Sequence, residues 1–135
     1  MIASLIFNNG EEETNRWLSG FVKNFYKKPS GNDRSQILAV ASGDAKLAIA
    51  NTYYYALMLS GKKGNTQMEA AKKVKPLFPN QLNRGSHMNI SGIGVLKHSP
   101  NRTNAVKFIE FLISPESQVH LSENSFEFPV IELSL

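Results

Sequence analysis

The chain has 135 residues and no cysteine, which is one ordinary domain's length and excludes disulfide frameworks, thiolate zinc sites, iron–sulfur clusters and cysteine nucleophiles. An apolar fraction of 41% and a charged fraction of 19% are those of a globular protein rather than a disordered tail. The net charge of +4 argues mainly for solubility: Lys27–Lys28, Lys62–Lys63 and Lys72–Lys73 are scattered without aromatic stacking platforms between them, so nucleic acid is not an expected partner.

In chain order, Met1 to Phe7 is apolar but too short and too poor in basic residues for a signal peptide, and it runs into a turn at Asn8-Asn9-Gly10. A chain that opens inside a hydrophobic element reads as a piece of something longer or as an internal start. Glu11-Glu12-Glu13 places acids where a helix N-terminus favours them, and Trp17, Leu18, Phe21, Val22 and Phe25 repeat at helical spacing, predicting a helix over 11–26. Asn32 or Asp33 caps the next helix, with Ile37, Leu38 and Ala41 on its apolar face and a stop at Ser42-Gly43-Asp44. Leu47 to Ala50 reads as a short buried strand, and Thr52 as the cap of a helix from Tyr53 to about Ser60. This apolar stretch, Leu47 to Leu59, is broken by Asn51 and Thr52 and falls short of the roughly 18 residues of a membrane span.

Beyond it, Met68 to Val74 predicts a short helix and Asn89 to Leu96 a strand in which Gly92 and Gly94 permit close backbone approach. Ser99-Pro100 opens a helix whose core stripe is Ala105, Phe108, Ile109 and Leu112, and Ser114-Pro115-Glu116 opens another to about Glu123. Phe126 to Ile131 reads as a final edge strand. Helices alternating with short apolar strands make the class α/β.

Hydrolase and dinucleotide chemistry find little support. Ser91 lacks the glycine two residues before it that a nucleophile elbow requires, and Gly92-Ile93-Gly94 opens no helix. His87, His98 and His120 have no metal-ligand spacing. The unusual feature is Asn51-Thr52-Tyr53-Tyr54-Tyr55, because consecutive helical side chains diverge by about 100° and three phenols cannot share one face. One reading is half-buried aromatics with wet hydroxyls. The other is a pair of phenolate ligands converging at a strand-to-helix turn around a hard cation. A phenol with a reference pKa of about 10 ionises at neutral pH only beside a strong positive charge.

Ala48 to Tyr54 resembles the dityrosine motif of the periplasmic ferric-iron-binding proteins, the iron-deficiency-induced subgroup in particular. Ile2 to Ile6 with Asn9-Gly10-Glu11-Glu12 resembles that family's helix ahead of the site, and Gly31-Asn32-Asp33 and Phe78-Pro79-Asn80-Gln81 also match. Gly85 to Val95 resembles the return strand, and Asn101-Arg102, Ala105 and Ser114 to Gln118 fit the C-terminal helices.

The resemblance implies a partial type II periplasmic-binding-protein fold, with helices packed around short mixed β-strands. Residues 1–75 would form part of the tyrosine-bearing lobe, and residues 76–135 the crossover strand and C-terminal helices. It implies a binding protein rather than an enzyme, periplasmic, carrying Fe3+ between two lobes to the permease of an ABC importer. Tyr53 and Tyr54 are then the iron ligands, Asn51 holds a synergistic anion such as carbonate or orders the ligands, and Asn32 is a weaker match for a similar supporting role. Family members are about twice as long or more, so the missing N-terminal half of the same protein would supply the opposite wall and the remaining ligands. The rival classes are a binding protein of the same fold for another small anion or organic ligand, and a basic interaction module.

Overall fold

In the computed structural model, which describes residues 1–132, the chain begins with two helices turned back on each other at a single residue. Helix α1 (Ile2–Asn9) ends at Gly10, whose φ of 81° and ψ of 165° send the chain directly into α2 (Glu11–Lys23). The Gly10 N–H donates to the Ile6 carbonyl at 2.8 Å and its own carbonyl accepts from Thr14 N at 3.2 Å, so both helix ends close on one residue. Thr14 is buried and its hydroxyl also donates to the Gly10 carbonyl, at 2.7 Å. Helix α2 stops three residues short of the expected Tyr26. Asn24 ends it, donating a side-chain N–H back to the Gly20 carbonyl at 2.9 Å while its backbone N–H bonds to Phe21. The aromatic row persists beyond the helix: Trp17 stacks on Phe21 at 5.0 Å and Phe21 meets Phe25 edge-on at 5.1 Å.

A second group is built from α3 (Asp33–Ser42), α4 (Thr52–Leu59) and α5 (Asn65–Lys72). Helix α3 starts at Gly31-Asn32, where Gly31 has φ 79° and Asn32 and Ser35 form a reciprocal capping box. It ends at Gly43 in the left-handed conformation that glycine adopts without strain. The three helices bury Ile37, Met58 and Ala71, with Leu38, Ala50, Tyr54, Tyr55 and Val74 packed around them. The predicted helix over 68–74 is α5, which starts three residues earlier and ends two earlier, with Gly64 at its N-cap.

The third group is α6 (Arg102–Leu112) and α7 (Pro115–Ser125). Helix α7 has the predicted Ser114 cap, with Ser117 N donating to its hydroxyl at 3.3 Å, and runs two residues past Glu123 to a left-handed Phe126. Helix α6 begins at Arg102 rather than at the proline. Ala105, Ile109 and Leu112 turn inward, whereas Phe108 remains 55% exposed.

Helices form in the regions where periodicity predicts them, but the expected strands at 47–50, 89–96 and 126–131 carry no regular secondary structure. A strand, unlike a helix, needs hydrogen-bond partners from another segment, and among the described residues none pairs with these. Side chains there stay open: Leu47, Ile90 and Leu96 are 81%, 85% and 81% exposed. Among the described residues, no helix is long and apolar enough to cross a membrane.

The contrast between a small core and broad exposed apolar surface generates two predictions. Met58→Ala, at a fully buried position, should cost about 2–5 kcal/mol or abolish the cooperative transition, whereas Leu82→Ala, at a fully exposed one, should stay near neutral, as read by urea denaturation. The 135-residue chain should also self-associate, with a sedimentation coefficient that rises with concentration, because exposed side chains of this size seek partners.

Candidate functional site

The segment entering α4 is extended at Asn51, with φ −73° and ψ 141°, and turns helical at Thr52. Asn51, not Thr52, therefore holds the N-cap position, but its side chain makes no capping bond to the helix. It turns instead to Asp33 at the start of α3. One Asp33 carboxylate oxygen accepts from the Asn51 backbone N–H at 2.7 Å and from its side-chain amide at 3.0 Å. The Asn51 side-chain oxygen in turn accepts from the Asn89 amide at 3.3 Å, tying in the segment that returns from the Pro79–Asn89 loop.

Just after this turn, the rings of Tyr53 and Tyr54 lie side by side, centroids 4.4 Å apart and planes tilted by 42°. All three tyrosines are half-buried. Tyr55 points away from the pair and donates its hydroxyl proton to the Val74 carbonyl at 2.9 Å, a bond that closes the end of α5 over the core. The three consecutive phenols thus divide, as helical divergence requires, into an adjacent pair and one hydroxyl spent on the backbone.

The Tyr53 phenol is held above its usual value of 10.0, first by side-chain hydrogen bonding with Tyr54, then by burial, and then by the negative fields of Tyr54, Asp33 and Glu127. Such surroundings keep Tyr53 protonated when no cation is present.

Asn32 and Asp33 were alternative caps by sequence, and the structure separates them. Asn32 caps α3: its side-chain oxygen accepts from Ser35 N at 3.2 Å and from the Ser35 hydroxyl at 3.3 Å. Asp33 is left free to reach across to Asn51. The structure thus gathers Tyr53, Tyr54 and Asn51, turns the Asn32 side chain onto its own helix, and adds Asp33 and Asn89, which sequence reading did not single out. The available signal was an acid in a first turn whose cap was already supplied by its neighbour.

Other features stand apart from this cluster. An open groove of about 580 Å³ runs along α3 and α5, with Asp44, Glu69, Lys27 and Lys73 among its walls and neither Tyr53 nor Tyr54 in its lining. It offers charges of both signs and no convergent donor set, so the smaller tyrosine cluster is the better candidate. His87, His98 and His120 are exposed, and among the described residues no three His, Asp or Glu side chains are grouped to hold a metal.

Residues 4–134 match the family of bacterial extracellular solute-binding proteins. The chain is 50% identical, over 97% of its length, to iron uptake protein A1 of Synechocystis, and 29% identical to the major ferric iron-binding protein of Neisseria meningitidis. It spans 36% and 37% of those two proteins. Among solved structures it superposes on a ferric binding protein from Campylobacter jejuni with a TM-score of 0.92 at 43% identity, covering 98% of this chain and 43% of that one. It also superposes on Trichodesmium FutA (IdiA) in complex with iron and citrate, with a TM-score of 0.88 at 45% identity and the same two coverages. These neighbours are type II periplasmic binding proteins, so the expected fold class stands, and this chain contains part of that fold.

The division of the tyrosines has a measurable consequence. Tyr55→Phe should lower stability by about 1 kcal/mol, the worth of a hydrogen bond lost with its partner left half-buried. The Tyr53–Tyr54 ring contact should persist in that variant, checked by denaturation and by ring-to-ring nuclear Overhauser effects.

Proposed function

Because the chain belongs to the bacterial extracellular solute-binding protein family, we propose that it forms part of a periplasmic ferric-ion carrier in which Tyr53 and Tyr54 donate adjacent phenolate oxygens to Fe3+. The observation that carries the reading is the tyrosine pair itself: two phenol rings 4.4 Å apart, just after a turn held by the Asp33 carboxylate. Fe3+ is a hard cation that favours oxygen donors, and its charge compensates the cost of removing two phenol protons. The relatives named for iron uptake and ferric iron binding support the same cargo. The family binds solutes and does not transform them, so the chemistry needed is selective capture and release.

Within that reading, residues 1–75 belong to the lobe that carries the tyrosines and residues 76–135 supply the crossover and C-terminal helices. Two phenolates leave coordination positions open, and these are filled from the opposite lobe and by a small anion such as carbonate or citrate. Asn51 orders the ligands, a role favoured by its bonds to Asp33 and Asn89. Asn32 contributes indirectly, by fixing the start of α3. The loaded carrier delivers its ion to the permease of an ABC importer.

Ferric citrate titrated into the chain should produce a visible tyrosinate-to-iron charge-transfer band. Tyr54→Phe should weaken and shift it, Tyr53→Phe combined with Tyr54→Phe should abolish it, and Tyr55→Phe should leave it. Citrate binding without colour would point instead to an organic-anion carrier, and no binding at all would sink the proposal for this chain. The sign of the pH dependence follows from displacement of phenol protons by iron, and the raised Tyr53 pKa strengthens the competition. Its proton is held more tightly than in a free phenol and must leave for iron to bind, so affinity should fall as pH falls. Each proton displaced contributes up to about tenfold per pH unit, tested by titration at constant citrate between neutral and mildly acidic pH.

A further inference from the structure

We propose that Asp33 is a positioning residue for the tyrosine pair, fixing the turn before α4 through Asn51 without itself touching the ligand; the inference rests on the ferric-carrier reading above. Helix direction at its start is set by the N-cap residue, and in α4 that residue is Asn51. A single carboxylate oxygen of Asp33 takes both the backbone N–H and the side-chain amide of Asn51, at 2.7 and 3.0 Å. Both bonds are charge-assisted, the shorter and stronger kind. Together they clamp the main chain and the side chain of the same residue, leaving the turn little freedom to rotate.

Two further features separate this from ordinary helix capping. Asn32 already caps α3 through its box with Ser35, so Asp33 is not needed for that task. Asparagine is among the preferred capping residues, yet Asn51 forgoes capping α4 in order to face Asp33. Its remaining side-chain oxygen accepts from Asn89 at 3.3 Å, so the same clamp aligns the return segment with the tyrosine turn. A polar relay through Asp33, Asn51 and Asn89 thus joins three segments separated by 18 and 38 residues in sequence. It grips the residue immediately before the helix that carries the side chains that must converge on one ion. Partners of metal ligands that act this way set ligand orientation, and removing them weakens metal binding without deleting a donor.

The test compares the 135-residue chain with Asp33→Ala and Asp33→Asn, using amide NMR and ferric citrate titration. Asp33→Asn keeps an acceptor oxygen in place. With the charge gone it should keep the Asn51 amide protection and the Tyr53–Tyr54 ring contacts in part, and bind iron about threefold to tenfold more weakly than wild type. Asp33→Ala should keep its helix content, because Asn32 still caps α3. It should lose Asn51 protection and the ring contacts, and weaken iron binding by about 10–100-fold. Unchanged ring contacts and affinity in a folded Asp33→Ala would overturn the assignment. If Asp33→Ala fails to fold, Asp33→Asn decides: ring contacts and affinity both unchanged from wild type would equally overturn it. Should wild type show no tyrosinate band, the carrier reading falls separately, and the ring contacts alone decide the role of Asp33.

Discussion

A half-buried carboxylate accepting two hydrogen bonds from one asparagine joins the start of α3 to the start of α4. Apolar packing alone does not fix that relationship. The buried core shared by α3, α4 and α5 is only Ile37, Met58 and Ala71, and apolar contact is non-directional. Such a core sets how close the helices come but resists rotation weakly. Hydrogen bonds to a charged acceptor are directional, and here they grip the residue from which α4 departs. The facing of Tyr53 and Tyr54, the departure of Tyr55 towards Val74 and the approach of Asn89 all depend on where that residue is held.

The molecule is otherwise three helical groups with thin connections. The α1–α2 hairpin meets the later chain where Arg84 donates to the Asn9 side chain at 2.9 Å. The α6–α7 pair meets the middle group through Lys62, which reaches the Glu123 carbonyl at 3.5 Å and lies over the Phe126 ring at 4.9 Å. These exposed contacts are weak individually. The segments between the groups are those that sequence reads as strands, and they are also where large apolar side chains lie open. The chain spans 36–38% of its Synechocystis relatives, and among the described residues these strand-like segments find no pairing partner.

Helices were legible because their signals are local. The Ser114 cap and the stop at Gly43 act within one turn of their own position as read, and of the two caps open for α3 the structure uses Asn32. Where a boundary moved, a local competitor explains it, as with Asn24 ending α2 by bonding back to Gly20. The strands had the right composition but depend on a neighbour that composition cannot supply. The tyrosine pair stood out because three phenols in succession are awkward in a helix. Asp33 did not, because its significance lies in a contact 18 residues away, and by sequence an acid beside a cap is an ordinary first-turn charge.

The Gly31 backbone gives these relationships an unexpected gatekeeper. Its φ of 79° disfavours any residue with a side chain, and a Cβ built there would fall 2.5 Å from the Ser35 hydroxyl and 2.8 Å from the Ser35 Cβ. A methyl group would therefore crowd the partner that completes the Asn32 cap, forcing Ser35 or the turn itself to shift. Three successive positions are constrained by three different forces: steric exclusion at Gly31, hydrogen-bond geometry at Asn32 and charge at Asp33. The residue with no side chain has the least latitude of the three, although it lies farthest from the phenols along the chain and offers no chemistry of its own.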